Sequence, residues 1–309
     1  MKIYESTTEL VGKTPLLRLK KIEKEYTARA KIFAKLEFFN PAGSIKDRAA
    51  LAIIRDLEAR GELKDGATIV EATSGNMGIG LAAAAAALGY AAVIVMPDTM
   101  SRERQLLIRA YGAKCILSDG KLGMAGAVKL AEDIAKSTPG AVLTRQFENE
   151  AGVMAHYNTT APEIFRDLDG RVDIFVAGVG TGATLTGAAR YLKEKNPSVR
   201  VVAVEPEKSP LLSAGVAGAH GIQGIGANFV PKILDVGLID EVIPVSDERA
   251  FEYARAIASH EGALVGISSG AALAAAVELA LRPENEDKNI VVVLPDTGER
   301  YLSGRLFEE

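Results

Sequence analysis

The stretch Asn40-Pro41-Ala42-Gly43-Ser44-Ile45-Lys46-Asp47-Arg48 sets a turn-forming quartet directly before what reads as the first turn of a helix. Ser44 suits the N-cap and Asp47, three residues on, its capping-box partner. Lys46 then falls among the unpaired N–H groups at the positive end of the helix dipole, where an ammonium is disfavoured. One reading is a solvated turn in which Asp47 offsets Lys46 and Arg48. The other is that the site depresses the lysine pKa, so that a neutral amine can attack a carbonyl carbon. The segment alone leaves both open.

Two more loops carry chemistry-bearing groups. Thr73-Ser74-Gly75-Asn76-Met77-Gly78 holds more side-chain hydrogen-bonding groups than a helix start needs. Ser74 or Asn76 would suffice as a cap, and the surplus, with exposed backbone N–H groups, suits a carboxylate. Gly178-Val179-Gly180-Thr181-Gly182-Ala183 matches G-x-G-x-x-A, and Glu205 ends the next apolar run. Taken literally, that is a dinucleotide fingerprint with a ribose-binding carboxylate, the mark of an NAD-binding oxidoreductase. Against it, the motif lies in the second half of the chain, Pro206 follows Glu205, and the loop continues Thr184-Leu185-Thr186-Gly187. Hydroxyls at Thr181 and Thr184 beside three glycines suit a terminal phosphate monoester at a helix N-terminus, whereas a turn used only for packing does not call for threonines.

The elements that must position these loops alternate. Short Val/Ile/Ala-rich runs at 31–37, 68–72, 91–96, 114–118, 173–178, 200–205, 241–245 and 289–295 read as strands. Helix-compatible segments fill roughly 44–60, 77–88, 101–111, 121–137, 150–167, 183–195, 247–261 and 269–281. This is the pattern of an α/β protein with parallel strands covered on both faces, whose ligands bind where strands end and helices begin. The 309 residues, 48% hydrophobic and 25% charged, suffice for one large or two ordinary domains. A net charge of -4 without basic blocks gives no footprint for nucleic acid or an anionic membrane, and points to a small partner. Cys115 alone offers no intramolecular disulfide, and His156, His220 and His260 lie far apart, which argues against a zinc site. The start MKIYESTTEL lacks the apolar core of a signal peptide, and glycines break the apolar stretch from Ile79 to Met96, so a cytoplasmic protein is expected.

With GKTPLLRL, NPAGSIKDR, EATSGNMGIGLA, GVGTGATLTG, GIQGIGANFVP, VGISSGAA and LPDTGERYLSG in that order, the chain resembles, over nearly its whole length, the cysteine synthase (O-acetylserine sulfhydrylase) branch of the fold-type II pyridoxal-phosphate enzymes. The resemblance implies a tryptophan synthase β-subunit-like fold with two open twisted, mostly parallel sheets. It implies a smaller mobile domain of residues 1–12 and 35–149, and a larger one of 13–34 and 150–309 that holds the cofactor phosphate. Lys46 would form the internal aldimine with pyridoxal 5'-phosphate and then act as base toward the substrate α-proton. Asn76 would bond the cofactor's phenolic oxygen, Gly180, Thr181, Gly182, Ala183 and Thr184 would hold its phosphate, and Ser268 would face its pyridine nitrogen. A neutral hydroxyl there leaves the ring a weaker electron sink and favours β-elimination.

By the same resemblance, Thr73, Ser74, Asn76, Met77 and Gln146 take the substrate carboxylate, and Gly224 lies near the acetyl group. O-acetyl-L-serine and sulfide would give L-cysteine and acetate through an external aldimine and an aminoacrylate. Cystathionine β-synthase-like and cysteine desulfhydrase activities are the nearest alternatives. A homodimer is implied, with serine acetyltransferase as a possible partner. Two positions depart from the family pattern. Met77 stands where TSGNTG is commonest, which removes a hydroxyl but not the backbone N–H, and Ala183 replaces a common glycine of the phosphate loop.

Overall fold

Strands form where β-branched and small apolar residues run together. They are β1 (Leu16–Arg18), β2 (Lys31–Leu36), β3 (Thr68–Ala72), β4 (Ala91–Pro97), β5 (Lys114–Ser118), β6 (Ala141–Leu143), β7 (Ile174–Gly178), β8 (Arg200–Pro206), β9 (Glu241–Val245) and β10 (Asn289–Leu294). Between them lie α1 (Lys20–Glu25), α2 (Lys46–Ala59), α3 (Asn76–Leu88), α4 (Arg102–Ala110), α5 (Gly123–Ser137), α6 (Ala151–Ala155), α7 (Ala161–Asp167), α8 (Ala183–Lys195), α9 (Leu211–Ala214), α10 (Asp247–Glu261) and α11 (Ile267–Leu281). The structure is a computed structural model that describes residues 3–308. The chain divides into two units, one of Met1–Val11 with Asn40–Gly152 and the other of Gly12–Phe39 with Val153–Glu309.

The first unit carries a parallel sheet in the order β5-β4-β3-β6. Successive residues of a strand face opposite ways. Ile69 and Ile94 therefore join a core with Ile53 and Ile54 of α2, Ile79 and Leu81 of α3 and Ile108 of α4, while Val70, Ala72 and Val95 meet Ala127 and Ala131 of α5 on the other face. The second unit carries the order β1-β2-β10-β7-β8-β9, with β1 antiparallel to β2 and the rest parallel. Ile174, Val176, Val202, Val204, Ile290 and Val292 bury one face of it against α10 and α11. No helix among the described residues is long and apolar enough to cross a membrane.

The periodicity of the sequence finds the eight longer strands to within two residues at either end. It misses β1 and β6, three residues each and too short to show alternation, and the brief helices α1 and α9. The helix expected over 150–167 is three pieces, α6, a π turn at His156–Thr160, and α7.

Strand β2 contains a lysine that is wholly buried. Lys35 Nζ pairs with Glu163 Oε2 at 2.8 Å and donates to the Thr14 carbonyl at 2.6 Å. Glu163 Oε1 also accepts the Lys13 N–H at 2.9 Å, and the Thr14 hydroxyl donates to Glu37 at 2.6 Å. The GKTP turn of the second unit is thus tied to its sheet by one buried ion pair and three hydrogen bonds. Breaking such a pair strands a charge and costs about 3–5 kcal/mol, whereas replacing both partners by apolar side chains is close to neutral. In urea unfolding followed by circular dichroism, Glu163→Ala should lose about that much stability from the second unit, and the double change Lys35→Met with Glu163→Leu should recover most of it.

Candidate functional site

Lys46 is the first residue of α2, half-buried, as the turn-then-helix reading expects. The cap differs from the expected box. Ile45, in helical conformation (φ -57, ψ -21), occupies the N-cap without a side-chain bond. Ser44 Oγ accepts the Lys46 N–H at 3.2 Å, and Asp47 Oδ2 reaches back past Ser44 to the Ala42 N–H at 2.6 Å. The carboxylate therefore closes the Pro41–Gly43 turn instead of capping the helix, so the turn and the lysine form one rigid piece. Gly80 of α3 presses on this piece from the side: a Cβ there would lie 3.1 Å from the carbonyl carbon and oxygen of Lys46.

The loop Thr73–Met77 also departs from a plain cap. The N-cap of α3 is Gly75, at φ -158 and ψ -137 and without a side-chain bond, and Thr73 Oγ1 accepts the Gly75 N–H at 3.2 Å. Neither Ser74, which is exposed, nor Asn76, half-buried, serves as the cap. Arg104 is buried alongside, its Nε 3.7 Å from where a Cβ on Gly75 would lie. A buried guanidinium next to helix N–H groups favours an anionic ligand. The Met77 side chain points the other way, 1% exposed in the core with Ile79 and Leu81, which leaves its N–H in the first turn of α3 as its only group for a ligand.

Glu71, which the sequence reading passed over, sits on β3 two residues before Thr73. It is 6% exposed. Its carboxylate accepts the Ala72 N–H at 3.0 Å, the Gln146 N–H at 3.2 Å and the Thr144 hydroxyl. Burial pushes its pKa up from 4.5 to about 7, against the pull of those three bonds. The signal in the sequence is an acidic residue inside an otherwise apolar strand.

In the second unit three separate motifs converge. Gly182, at φ +83, caps α8, and Thr181 Oγ1 accepts the Ala183 N–H at 3.3 Å. A Cβ at Gly180 would collide with the Gly224 carbonyl oxygen, and one at Gly224, at φ +100, would lie 3.4 Å from Ser268 Oγ. Gly180, Gly224 and Ser268 therefore line one cradle where α8 and α11 begin, with Ser268 3% exposed. Thr184 Oγ1 lies 3.3 Å from Nε2 of the buried His156, whose Nδ1 is 2.9 Å from Thr160 Oγ1. His156 opens the π turn, a distortion that often marks functional positions. Sequence spacing could not find it, because the bond to Thr184 spans 28 residues. Ala183 is buried in a small cluster with Val153 and Ile233, so its methyl packs inward.

Glu205 disposes of the dinucleotide fingerprint. It is 2% exposed and its carboxylate accepts the Leu212 N–H at 2.7 Å, the Ser213 N–H at 3.0 Å and the Ser213 hydroxyl at 2.5 Å. A buried carboxylate so engaged is committed to the start of α9, the role that a ribose-binding carboxylate would have to give up.

Residues 7–296 match the model of the pyridoxal-phosphate dependent enzyme family. The chain is 48% identical to a probable cysteine synthase of Bacillus subtilis, over 99% of each sequence. It is 46% identical to a cysteine synthase of Staphylococcus aureus, over 99% of this chain and 98% of the relative. A solved cysteine synthase from Entamoeba histolytica superposes with a TM-score of 0.95 at 44% identity, covering 99% of this chain and 91% of that one.

The Glu71 carboxyl gives the first unit a pH signature. Its proton is held in the folded chain up to about pH 7 but released near 4.5 when unfolded. Its contribution to stability is fully present below pH 4.5 and lost as the pH rises through about 7, on the order of 3 kcal/mol in all. Glu71→Gln cannot titrate. Measured by urea unfolding at pH 4.5 and pH 8, its stability relative to wild type should improve by about that amount at the higher pH.

Proposed function

Because the chain belongs to the pyridoxal-phosphate dependent enzyme family, in its cysteine synthase branch, we propose that it makes L-cysteine and acetate from O-acetyl-L-serine and sulfide. The observation that carries the site assignment is the cradle of Gly180, Gly224 and Ser268, whose close backbone approaches leave no room for a Cβ at Gly180. Its residues fit the cofactor: glycines and hydroxyls at the start of α8 for a phosphate monoester, and a neutral serine at the start of α11 for a ring nitrogen that stays unprotonated. When bound, pyridoxal 5'-phosphate supplies the electron sink that lets the substrate's α-proton and β-acetate depart.

The protein's own residues do the rest. Lys46 would hold the cofactor through Nζ and would be the base that takes the substrate α-proton and returns it to the same carbon. Asn76 would hold the cofactor's phenolic oxygen and Gly180 to Thr184 its phosphate, with Thr184 steadied by His156. The N–H groups that open α3, together with Thr73, Ser74, Asn76, Met77 and the Gln146 side chain, grip the substrate carboxylate, with Arg104 adding positive potential from behind Gly75. Gly224 leaves space beside the departing acetate, and bisulfide then adds to the β-carbon. We extend the proposal to a homodimer in the cytoplasm that a serine acetyltransferase can dock on.

Purified chain should be yellow, and borohydride should bleach it while fixing the label on Lys46. Lys46→Ala should cut cysteine formation by about 10²–10⁴-fold or more, the usual worth of a positioned general base. Gly180→Ala should raise the cofactor's dissociation constant about tenfold or more, since one hydrogen bond to a charged group is worth about 1.5–3 kcal/mol. A colourless chain that binds NADH would overturn the cofactor reading. Faster turnover of serine with homocysteine than of O-acetylserine with sulfide would overturn the cysteine synthase reading while leaving the cofactor in place.

A further inference from the structure

Strands β3 and β6 are parallel neighbours, paired Thr68 with Ala141, Ile69 with Val142 and Val70 with Leu143. The ladder ends where the Thr144 N–H donates to the Val70 carbonyl at 3.2 Å. Beyond that bond β6 leaves the sheet toward Gln146, while β3 stays paired to β4 through Ala72 and the Thr73 N–H, which donates to the Val95 carbonyl at 3.0 Å, before it reaches Ser74; these are the segments assigned above to one substrate carboxylate. Backbone pairing no longer fixes their separation. Glu71 does: it accepts from Thr144 and Gln146 on the one chain and from Ala72 on the other.

Two features say that this cross-link is more than filling. A buried carboxylate held only by neutral donors is a costly way to join two chain ends, since an apolar pair would do so without desolvating a charge. Arg145, between the two residues that Glu71 holds, adopts φ 52, a left-handed conformation unfavourable for a side chain of its size. Strain of this kind persists only where the surroundings over-determine it, and it gathers at sites that must be aimed. Here the Arg145 carbonyl accepts the N–H groups of Glu148 at 2.9 Å and Asn149 at 3.0 Å, while Glu71 fixes the residues on either side. Gln146, 7% exposed, leaves this turn with its backbone already bonded.

The geometry points to Glu71 as the positioning residue of the substrate-carboxylate site: through Thr144 and Gln146 it holds the Gln146 turn at a fixed offset from the loop Thr73–Met77. This rests on the proposed reading of that loop and Gln146 as the grip on the amino-acid carboxylate. Glu71 itself touches no substrate. Its effect belongs to amino-acid binding and not to sulfide addition or cofactor retention.

The test uses holoenzyme at pH 8, with KM for O-acetylserine, KM for sulfide, kcat and the visible spectrum measured for Glu71→Leu, Thr144→Val, their combination, Thr144→Ser and Gln146→Ala. Thr144 and Gln146 both donate to Oε2, so a carboxamide with its oxygen there would keep the cross-link, whereas leucine removes every acceptor. Glu71→Leu and Thr144→Val should each raise KM for O-acetylserine about tenfold or more, with the spectrum and KM for sulfide unmoved. The combination should be no worse than the worse single change, since both act through one link. Thr144→Ser, which keeps the hydroxyl, should undo the effect of valine. If Glu71→Leu does not fold, the valine and serine variants at Thr144 decide alone. The inference is overturned if Gln146→Ala raises that KM while Glu71→Leu and Thr144→Val leave it unchanged, or if both lower kcat and bleach the spectrum as general damage would. If Gln146→Ala itself leaves KM unchanged, the carboxylate-site reading fails, and the positioning role falls with it.

Discussion

A parallel strand buried on both faces cannot carry polar side chains along its length without stranding them, so in each unit the polar groups gather where strands end. In the first unit, β3 passes the chain from a core of Ile69 and Val70 to Thr73 and the start of α3 within a few residues. In the second, β7 passes it to the glycine loop and the start of α8. Helix N–H groups without partners point out of the same edges. A ligand with negative groups is thus the natural occupant of both, whatever its identity, and glycine appears where a second backbone must come near, as Gly80 does to Lys46 and Gly180 to Gly224.

The exceptions to that rule are the charged residues set inside strands, and each is resolved differently. Lys35 is met by an opposite charge, Glu163, and a carbonyl. Glu205 is met by the N–H groups that open the four-residue α9, which gives a helix of that length a reason to exist. Glu71 is met by neutral donors only, so its proton stays on to about pH 7. The first two resolutions tie loops to a sheet. The third ties together two loops that leave one, and the structure bears the energetic cost of a carboxyl poised between its states.

What the sequence displayed was whatever periodicity and local stereochemistry impose. The alternation of apolar runs located the eight longer strands, and the glycine-rich junctions located the chain exits. Family motifs then brought Lys46, Asn76, Gln146, Gly224 and Ser268 forward as candidates. What it hid was everything that depends on a distant partner. Asp47 looked like a capping residue for Ser44, but the Ala42 N–H, closer to a closed turn, took its carboxylate. Strand β6 has only three residues and exists because β3 offers a ladder for it. The bond from His156 to Thr184 and that from Glu71 to Gln146 cross 28 and 75 residues, with nothing periodic to announce them.

Met77 shows how side-chain direction changes the weight of a substitution. Read as a string, methionine in place of threonine strips a hydroxyl from a loop that grips a carboxylate, a loss of about 1.5–3 kcal/mol if the hydroxyl were a donor to the charge. Folded, the position is the second residue of α3, and its side chain enters the core beside Ile79 and Leu81 at 1% exposure. A thioether suits that place, since an unbranched, polarizable chain fills irregular gaps between helices and a sheet. The group that Met77 presents toward the loop is its N–H, which threonine would present equally. On the proposed reading of this loop, discrimination between amino acids then rests with Ser74, which is exposed, with Asn76, and with how firmly Gln146 is held.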